Sequence, residues 1–408
     1  MDRIGEARMA AAALTGSDEF DSLSGGRSPK EVLEAANRET IFTRGFSKKK
    51  FVQRIETAYR IQDKGTGAFL NWGPLLRSNP AQLKVLRHIL KACERGGPVR
   101  ILILKGRKVG ISTAVECLNL EIAMQVPGFS VGVVAHSAES TAALFRIARN
   151  AYDAMATLPD RPEARSHTQE SIEFGHRHKE VRQTGADVHK AGIWAKTAKG
   201  NYPFAGMTMQ VLHLSECAKW DTVGDINAQQ AFILSALGSM PKIGPSVVIA
   251  ETTANGMEGW FYETWQRATN GSNDPDGSMW VPIFISWLDD VSNRQPVHKD
   301  YDWDHWDEDD KAREAVLRGA PFFADDEQLM FRRHTIYTDM NMDTQLFDQE
   351  FPTTADQAFI ASGRPAIPRG YLDTLIRHIQ PPVKRYRPKI TQMDQGMTVS
   401  VGGKNAPH

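Results

Sequence analysis

Cysteine is scarce in this chain: three residues in 408, at Cys93, Cys117 and Cys217. They are far apart, sit among apolar neighbours and show no metal-ligand spacing. That pattern excludes a disulfide framework or a thiolate metal site and suits a reduced, cytoplasmic protein. No apolar run approaches the roughly 18 residues of a membrane span, so no membrane role is expected. The apolar stretch 10–14 is too short for a secretory signal and is followed by Gly16, Ser17, Asp18 and Glu19. Net charge is also lacking, with 49 basic against 49 acidic residues, which removes any global argument for nucleic acid. Internal repeats and low-complexity tracts are missing too.

What is present is the composition of a globular protein, 41% hydrophobic and 24% charged. The length allows two or three ordinary domains, or one large domain with additions. Charge is uneven along the chain. Residues 274–310 carry eleven Asp/Glu against two Lys/Arg, and 364–408 carry eight Lys/Arg against two Asp. A solvated surface accounts for either run; the basic one also suits contact with a polyanion.

Short Val/Ile/Leu-rich runs without strict alternation fall at 100–104, 130–135, 210–214, 246–250 and 281–286. Strands buried on both faces of a parallel sheet read this way. Helical spacing falls between them, at 112–125, 138–156 and 257–268, and an earlier helix opens at Asn79-Pro80. The order predicts an α/β three-layer domain with a mainly parallel sheet. We expect a flexible arm over 1–45, a core over 46–300, a small helical linker or lid over 301–370 with helices near 308–318 and 325–349, and a basic tail over 371–408. The polar, His-rich segment 160–205 gives no clear pattern.

Three strand ends carry chemistry. The first is Lys105-Gly106-Arg107-Lys108-Val109-Gly110-Ile111-Ser112-Thr113, between an apolar strand and an amphipathic helix. Strand, glycine-bearing turn, hydroxyl pair and helix are the parts of a phosphate loop, where helix N–H groups and cations receive the anion. The standard pattern wants Lys directly before the Ser/Thr, and that position is Ile111. The charge would then come from Lys105 or Lys108. Ser112 is placed to bind Mg²⁺. The second end is His213-Leu214-Ser215-Glu216, where Glu216 suits a base that orients or deprotonates water and Ser215 could hold the metal through water. The third is Glu251-Thr252-Thr253-Ala254-Asn255-Gly256, with Thr252 and Thr253 placed to sense a γ-phosphate at the end of a central strand. Read singly, each is also an ordinary strand-end turn; their order and spacing favour an NTPase.

These motifs resemble those of the large subunit of the tailed-phage terminase, over about residues 50–370. Lys105 to Thr113 is similar to the family's deviant loop. His213 to Trp220, with Ser-Glu at the acidic position, resembles its second motif. Glu251 to Gly256 is similar to its coupling motif, which includes Asn255. Gln82 resembles the glutamine that recognises adenine, and Phe347 to Pro352, with Ala358, Phe359 and Gly363, resembles the end of its ATPase region. The resemblance implies a P-loop NTPase of the ASCE type using ATP and Mg²⁺. Glu216, Lys105 and Arg107 would be catalytic. Gln82, Gly106, Lys108, Val109, Gly110, Ile111, Ser112 and Thr113 would bind nucleotide, and Ser112 and Ser215 the metal. It further implies a homo-oligomeric ring on a portal protein, a small-subunit partner, double-stranded DNA as cargo and a site of action in the host cytoplasm. Two departures stand out. The family often carries an arginine before the acidic strand, where Phe204-Ala205-Gly206 has none. It usually ends in a nuclease domain, and the carboxylates after Gly370 are only Asp373 and Asp394, so no nuclease activity is expected of this chain alone. Alternatives are a helicase-like translocase and a non-catalytic DNA-binding or assembly scaffold with a decayed loop.

Overall fold

The computed structural model describes residues 29–63, 66–77, 79–174, 191–198, 203–220, 226–270, 279–359, 388–393 and 396–401. It falls into two compact units, Met1–Ile360 and Ala361–His408.

An eight-stranded sheet organises the first unit. Its strands are β1 (Val99–Lys105), β2 (Ser130–Ala135), β3 (Ala164–His167), β4 (Ser171–Phe174), β5 (Ala191–Thr197), β6 (Val211–Ser215), β7 (Val247–Thr252) and β8 (Trp280–Ile285). Their spatial order is β8-β1-β7-β6-β2-β5-β4-β3. Every pairing from β8 to β5 is parallel, and β5-β4-β3 is antiparallel. The five expected strands are β1, β2, β6, β7 and β8. Strands β3 to β5 fill part of the segment that gave no clear pattern.

Helices cover both faces. Ile101 and Ile103 pack on one side with α2 (Pro80–Cys93), α3 (Ile111–Gln125) and α4 (Ala138–Ala154). Leu102 and Leu104 pack on the other with α5 (Ile226–Gly238) and α6 (Gly259–Thr269). Successive residues of β1 thus point into opposite cores, which is why its sequence is apolar without a gap. Each such side chain contributes roughly 1.5–3 kcal/mol by leaving water.

Local signals set the helix ends. The Asn79 side chain accepts from the Gln82 N–H at 2.9 Å and Pro80 opens α2, so the first turn is capped and pre-shaped. Two left-handed glycines, Gly96 and Gly97, follow its end. The helix expected over 325–349 is broken in two: α8 (Asp326–Thr338) and α9 (Thr344–Glu350), with α7 (Glu308–Arg318) before them. Asn341 and Met342 adopt positive φ between α8 and α9, and Asp343 then caps α9 by accepting from Gln345 and Leu346 N–H. These helices gather on Trp287, Leu329, Ile336 and Phe347. Buried pairs join them, Arg332 to Asp310 at 2.8 Å and Arg333 to Glu314 at 2.6 Å.

Ile41 is 1% exposed, so the packed unit starts before residue 45. Within the second unit, Pro388–Met393 and Gly396–Val401 form an antiparallel hairpin in the basic tail, where no strand was expected. All three cysteines are buried and unbridged. Among the described residues no helix is long and apolar enough to cross a membrane.

Candidate active site

Three neighbouring parallel strands, β1, β7 and β6, end side by side. Their C-terminal ends bring the loop, the Glu251–Gly256 turn and Ser215-Glu216 to one edge of the sheet. Register makes this specific: Ile103 pairs with Glu251, and Ser215 also pairs with Glu251. The edge therefore has a carboxylate on its central strand, flanked by a lysine-bearing and a serine-bearing strand.

Lys105 closes β1 and is 5% exposed. Its Nζ lies 2.7 Å from Glu216 Oε1 and 3.1 Å from Glu251 Oε2. Burial works against its charge, but Glu251 and then Glu216 reverse this and hold its pKa above the ordinary lysine value. At Glu251 the largest influence is again burial, which pushes the carboxyl up. Lys105 and His213 overcome it, so Glu251 stays ionised well below the usual carboxylate range. Its Oε1 accepts from Ser112 Oγ at 2.8 Å and Ser215 Oγ at 2.7 Å.

Behind Glu251 lies His213, wholly buried, with Nδ1 2.6 Å from Glu116 Oε1 and Nε2 3.5 Å from Glu251 Oε1. Burial lowers its pKa, and the two carboxylates more than compensate, raising it to about 9. Burial raises the carboxyl of Glu116 in turn. A continuous charged line, Glu116–His213–Glu251–Lys105–Glu216, runs from the core to the strand ends.

Glu216 is aimed by its backbone. It adopts φ 50° and ψ 41°, a left-handed conformation uncommon for a residue with a side chain. Its Oε2 accepts from the Thr253 N–H at 3.2 Å and Thr253 Oγ1 at 3.3 Å. Thr252 Oγ1 donates to the Thr253 carbonyl at 2.6 Å and lies 3.5 Å from the same Glu216 oxygen. Asn255 Nδ2 donates to the Ala218 carbonyl at 3.1 Å, tying the two turns together. Of the expected coupling residues, Thr252 and Thr253 thus touch the expected base, and Asn255 holds the turn that follows it.

The loop itself is stiff. Lys108 and Gly110 take positive φ, 58° and 76°. A Cβ on Gly110 would come within 2.7 Å of Gln82 Nε2. Gln82 is buried and braces the loop: its Nε2 donates to the Gly110 carbonyl at 2.7 Å, and its Oε1 accepts from Trp72 Nε1 at 3.1 Å. Gly106 N–H donates to the Ile285 carbonyl at 3.0 Å and Arg107 N–H to the Glu350 carbonyl at 2.8 Å. The Arg107 guanidinium is exposed and 3.5 Å from Glu350 Oε2, and Lys108 is exposed. Val109 and Ile111 are each 1% exposed and belong to the core, so the position where the standard loop carries lysine is an apolar anchor here. Ser112 and Thr113 open α3 half-buried.

The sequence reading put no role on Glu251, His213 or Glu116. Their signal was there: each is an ionisable residue inside an apolar run, as in Val247-Val248-Ile249-Ala250-Glu251. Such a charge is buried at a cost unless it is paired. Of the His-rich segment 160–205, the histidines His176, His178 and His189 lie outside the described residues. Among those described, no group of three His, Cys, Asp or Glu side chains forms a metal cage. The hydroxyl oxygens of Ser112 and Ser215 do converge, both held on the Glu251 carboxylate, a hard-oxygen setting that fits Mg²⁺ completed by phosphate and water.

A loop strand separated from the acidic strand by one inserted strand, with helices on both faces, is the architecture of an ASCE-type P-loop NTPase. Solved structures similar to the chain include phage large terminases. The large terminase of bacteriophage HK97 aligns at 15% identity and TM-score 0.46, over 75% of this chain and 55% of that one. The ATPase domain of the Thermus phage P74-26 large terminase aligns at 17% identity and TM-score 0.33, over 57% of this chain and 85% of that one. No family profile matches the sequence, and no curated protein does.

Proposed function

We propose that this chain is an ATP-hydrolysing motor subunit that drives double-stranded DNA into a viral procapsid in the host cytoplasm. In this reading it works as a homo-oligomeric ring on the portal, with a small subunit that selects the DNA. The observation that carries the hydrolytic part is Glu216, held between Lys105 at 2.7 Å and the Thr253 N–H at 3.2 Å.

The chain's own groups divide the work. The first turn of α3 presents N–H groups and a positive dipole end to the β- and γ-phosphates. Lys105, Arg107 and Lys108 supply cations. The Gln82 amide spends one hydrogen on Gly110 and has the other for adenine. When phosphate oxygens engage Lys105, the Glu216 oxygen facing it is released while Thr253 keeps the carboxylate aimed. Glu216 then accepts the proton of the attacking water, and catalysis is mainly positioning and charge stabilisation. Mg²⁺, held by Ser112 directly and by Ser215 through water, would offset charge on the phosphate oxygens. Thr252, Thr253 and Asn255 register loss of the γ-phosphate through Glu216 and Ala218. The surface that grips DNA contacts phosphates rather than bases, because a packaging motor must tolerate any sequence.

Glu216→Gln tests the hydrolytic role. ATPase activity of the assembled motor is expected to fall about 10²–10⁴-fold while nucleotide binding persists. Near-normal turnover would remove Glu216 from the mechanism.

A further inference from the structure

Ser215 stands where an NTPase acidic strand usually carries the first of two carboxylates. A serine hydroxyl cannot supply that charge. The register supplies it from next door: Ser215 pairs with Glu251 across the β6-β7 ladder. Glu251 is wholly buried, yet it is not merely neutralised. One of its oxygens faces Lys105 at 3.1 Å, and the other accepts from both Ser112 at 2.8 Å and Ser215 at 2.7 Å. Those two serines come from different elements, the loop helix and the acidic strand, and meet on one carboxylate oxygen.

We infer that Glu251 is the carboxylate of the Mg²⁺–nucleotide site, transposed by one strand, and that it acts by orienting the Ser112 hydroxyl and the water held at Ser215. This deepens the ATPase reading and rests on it. The geometry makes Glu251 a positioning residue rather than a direct ligand. Its Oε1 already accepts from two hydroxyls, and His213 Nε2 lies 3.5 Å from the same oxygen, so that oxygen is enclosed by protein partners and the serine hydroxyls are what faces the site. A hydroxyl that donates to a carboxylate turns its lone pairs outward, toward a metal carried by phosphate. Partners of this kind fix ligand orientation and are worth about 10–100-fold in metal affinity. A buried glutamate kept only to balance Lys105 and His213 could take its remaining hydrogen bonds from any donor; here both donors are hydroxyls, one from the loop helix and one from the acidic strand.

The experiment titrates Mg²⁺ against the full chain and a fluorescent ATP analogue, with a parallel titration of the analogue in EDTA. Glu251→Gln is expected to raise the half-saturating Mg²⁺ by about tenfold or more and to change the EDTA affinity by much less than that. Glu251→Asp keeps the charge facing Lys105 and His213 but withdraws the oxygen by one methylene. It should shift Mg²⁺ in the same direction, and it carries the test where Glu251→Gln does not fold. An unchanged Mg²⁺ requirement, or an equal loss with and without metal, overturns the assignment while leaving the ATPase reading in place. A wild-type chain that binds no nucleotide overturns both.

Discussion

Replacing Lys105 with Met removes the ammonium that joins Glu216 and Glu251 at 2.7 and 3.1 Å while keeping a stem of similar length. The loss is therefore charge rather than packing. The two partners differ. Glu216 is partly exposed, so its arm is screened and worth at most about 1 kcal/mol. Glu251 is fully buried, and breaking a buried pair from one side costs about 3–5 kcal/mol, because the remaining charge stays desolvated. His213 still faces Glu251, which places the expected loss for Lys105→Met near the lower end, about 3 kcal/mol. Urea denaturation followed by tryptophan fluorescence measures it. The double variant with Glu251→Gln should be less destabilised than the sum of the singles, by about 1–3 kcal/mol, because it no longer strands a charge. A loss below about 0.5 kcal/mol, or strict additivity, would refute a desolvated Lys105–Glu251 pair.

Two further outcomes follow from the same line of residues. Gly110→Ala forces a side chain into a left-handed backbone and onto Gln82 Nε2. We expect a loss of about 2–3 kcal/mol from the two effects together, read as a lower melting temperature, and weaker nucleotide binding by equilibrium titration. His213 has its pKa raised to about 9, above the ordinary 6.5 of the unfolded chain. Its contribution is then fully present below about pH 6.5 and is lost as pH rises through 9. Urea midpoints of wild type should fall across that window, and those of His213→Gln should fall less; parallel curves would count against a protonated His213 between Glu116 and Glu251.

The parallel strands were legible because burial on both faces leaves no polar position, as in Ile101-Leu102-Ile103-Leu104. The loop was legible because glycines and hydroxyls at a strand–helix junction have a narrow structural meaning. Strands β3 and β4 were not, since strands at the margin of the sheet, half in water, keep polar residues such as Arg165, Ser166 and Glu173. The break between α8 and α9 was hidden because Asp343 reads as an ordinary polar position until its capping bonds are seen. Within the site, the chain gives the residue types but not which oxygen meets which cation. Lys105, rather than Lys108, is the cation buried at the strand ends, and that depends on register between strands more than a hundred residues apart. Glu251 was passed over because it was read as the first letter of a turn; pairing with Ser215 makes it the centre of the site.

The hydrogen bond from Arg107 N–H to the Glu350 carbonyl bears on how this protein can be divided. Beyond Glu350, the Trp287 N–H donates to the Pro352 carbonyl at 3.2 Å and its indole to Thr353 Oγ1 at 3.0 Å. Phe359 then packs 5.0 Å from Tyr262, on the face of the sheet that carries α6. The helices between 308 and 350 are thus an excursion whose return leg is structural for the sheet and the loop. A fragment cut after β8 would keep the loop, Ser215-Glu216 and Thr252-Thr253 and lose the backbone acceptor that holds Arg107 in place. The boundary of the smallest intact unit therefore lies past Phe359, well beyond the last residue of the candidate site.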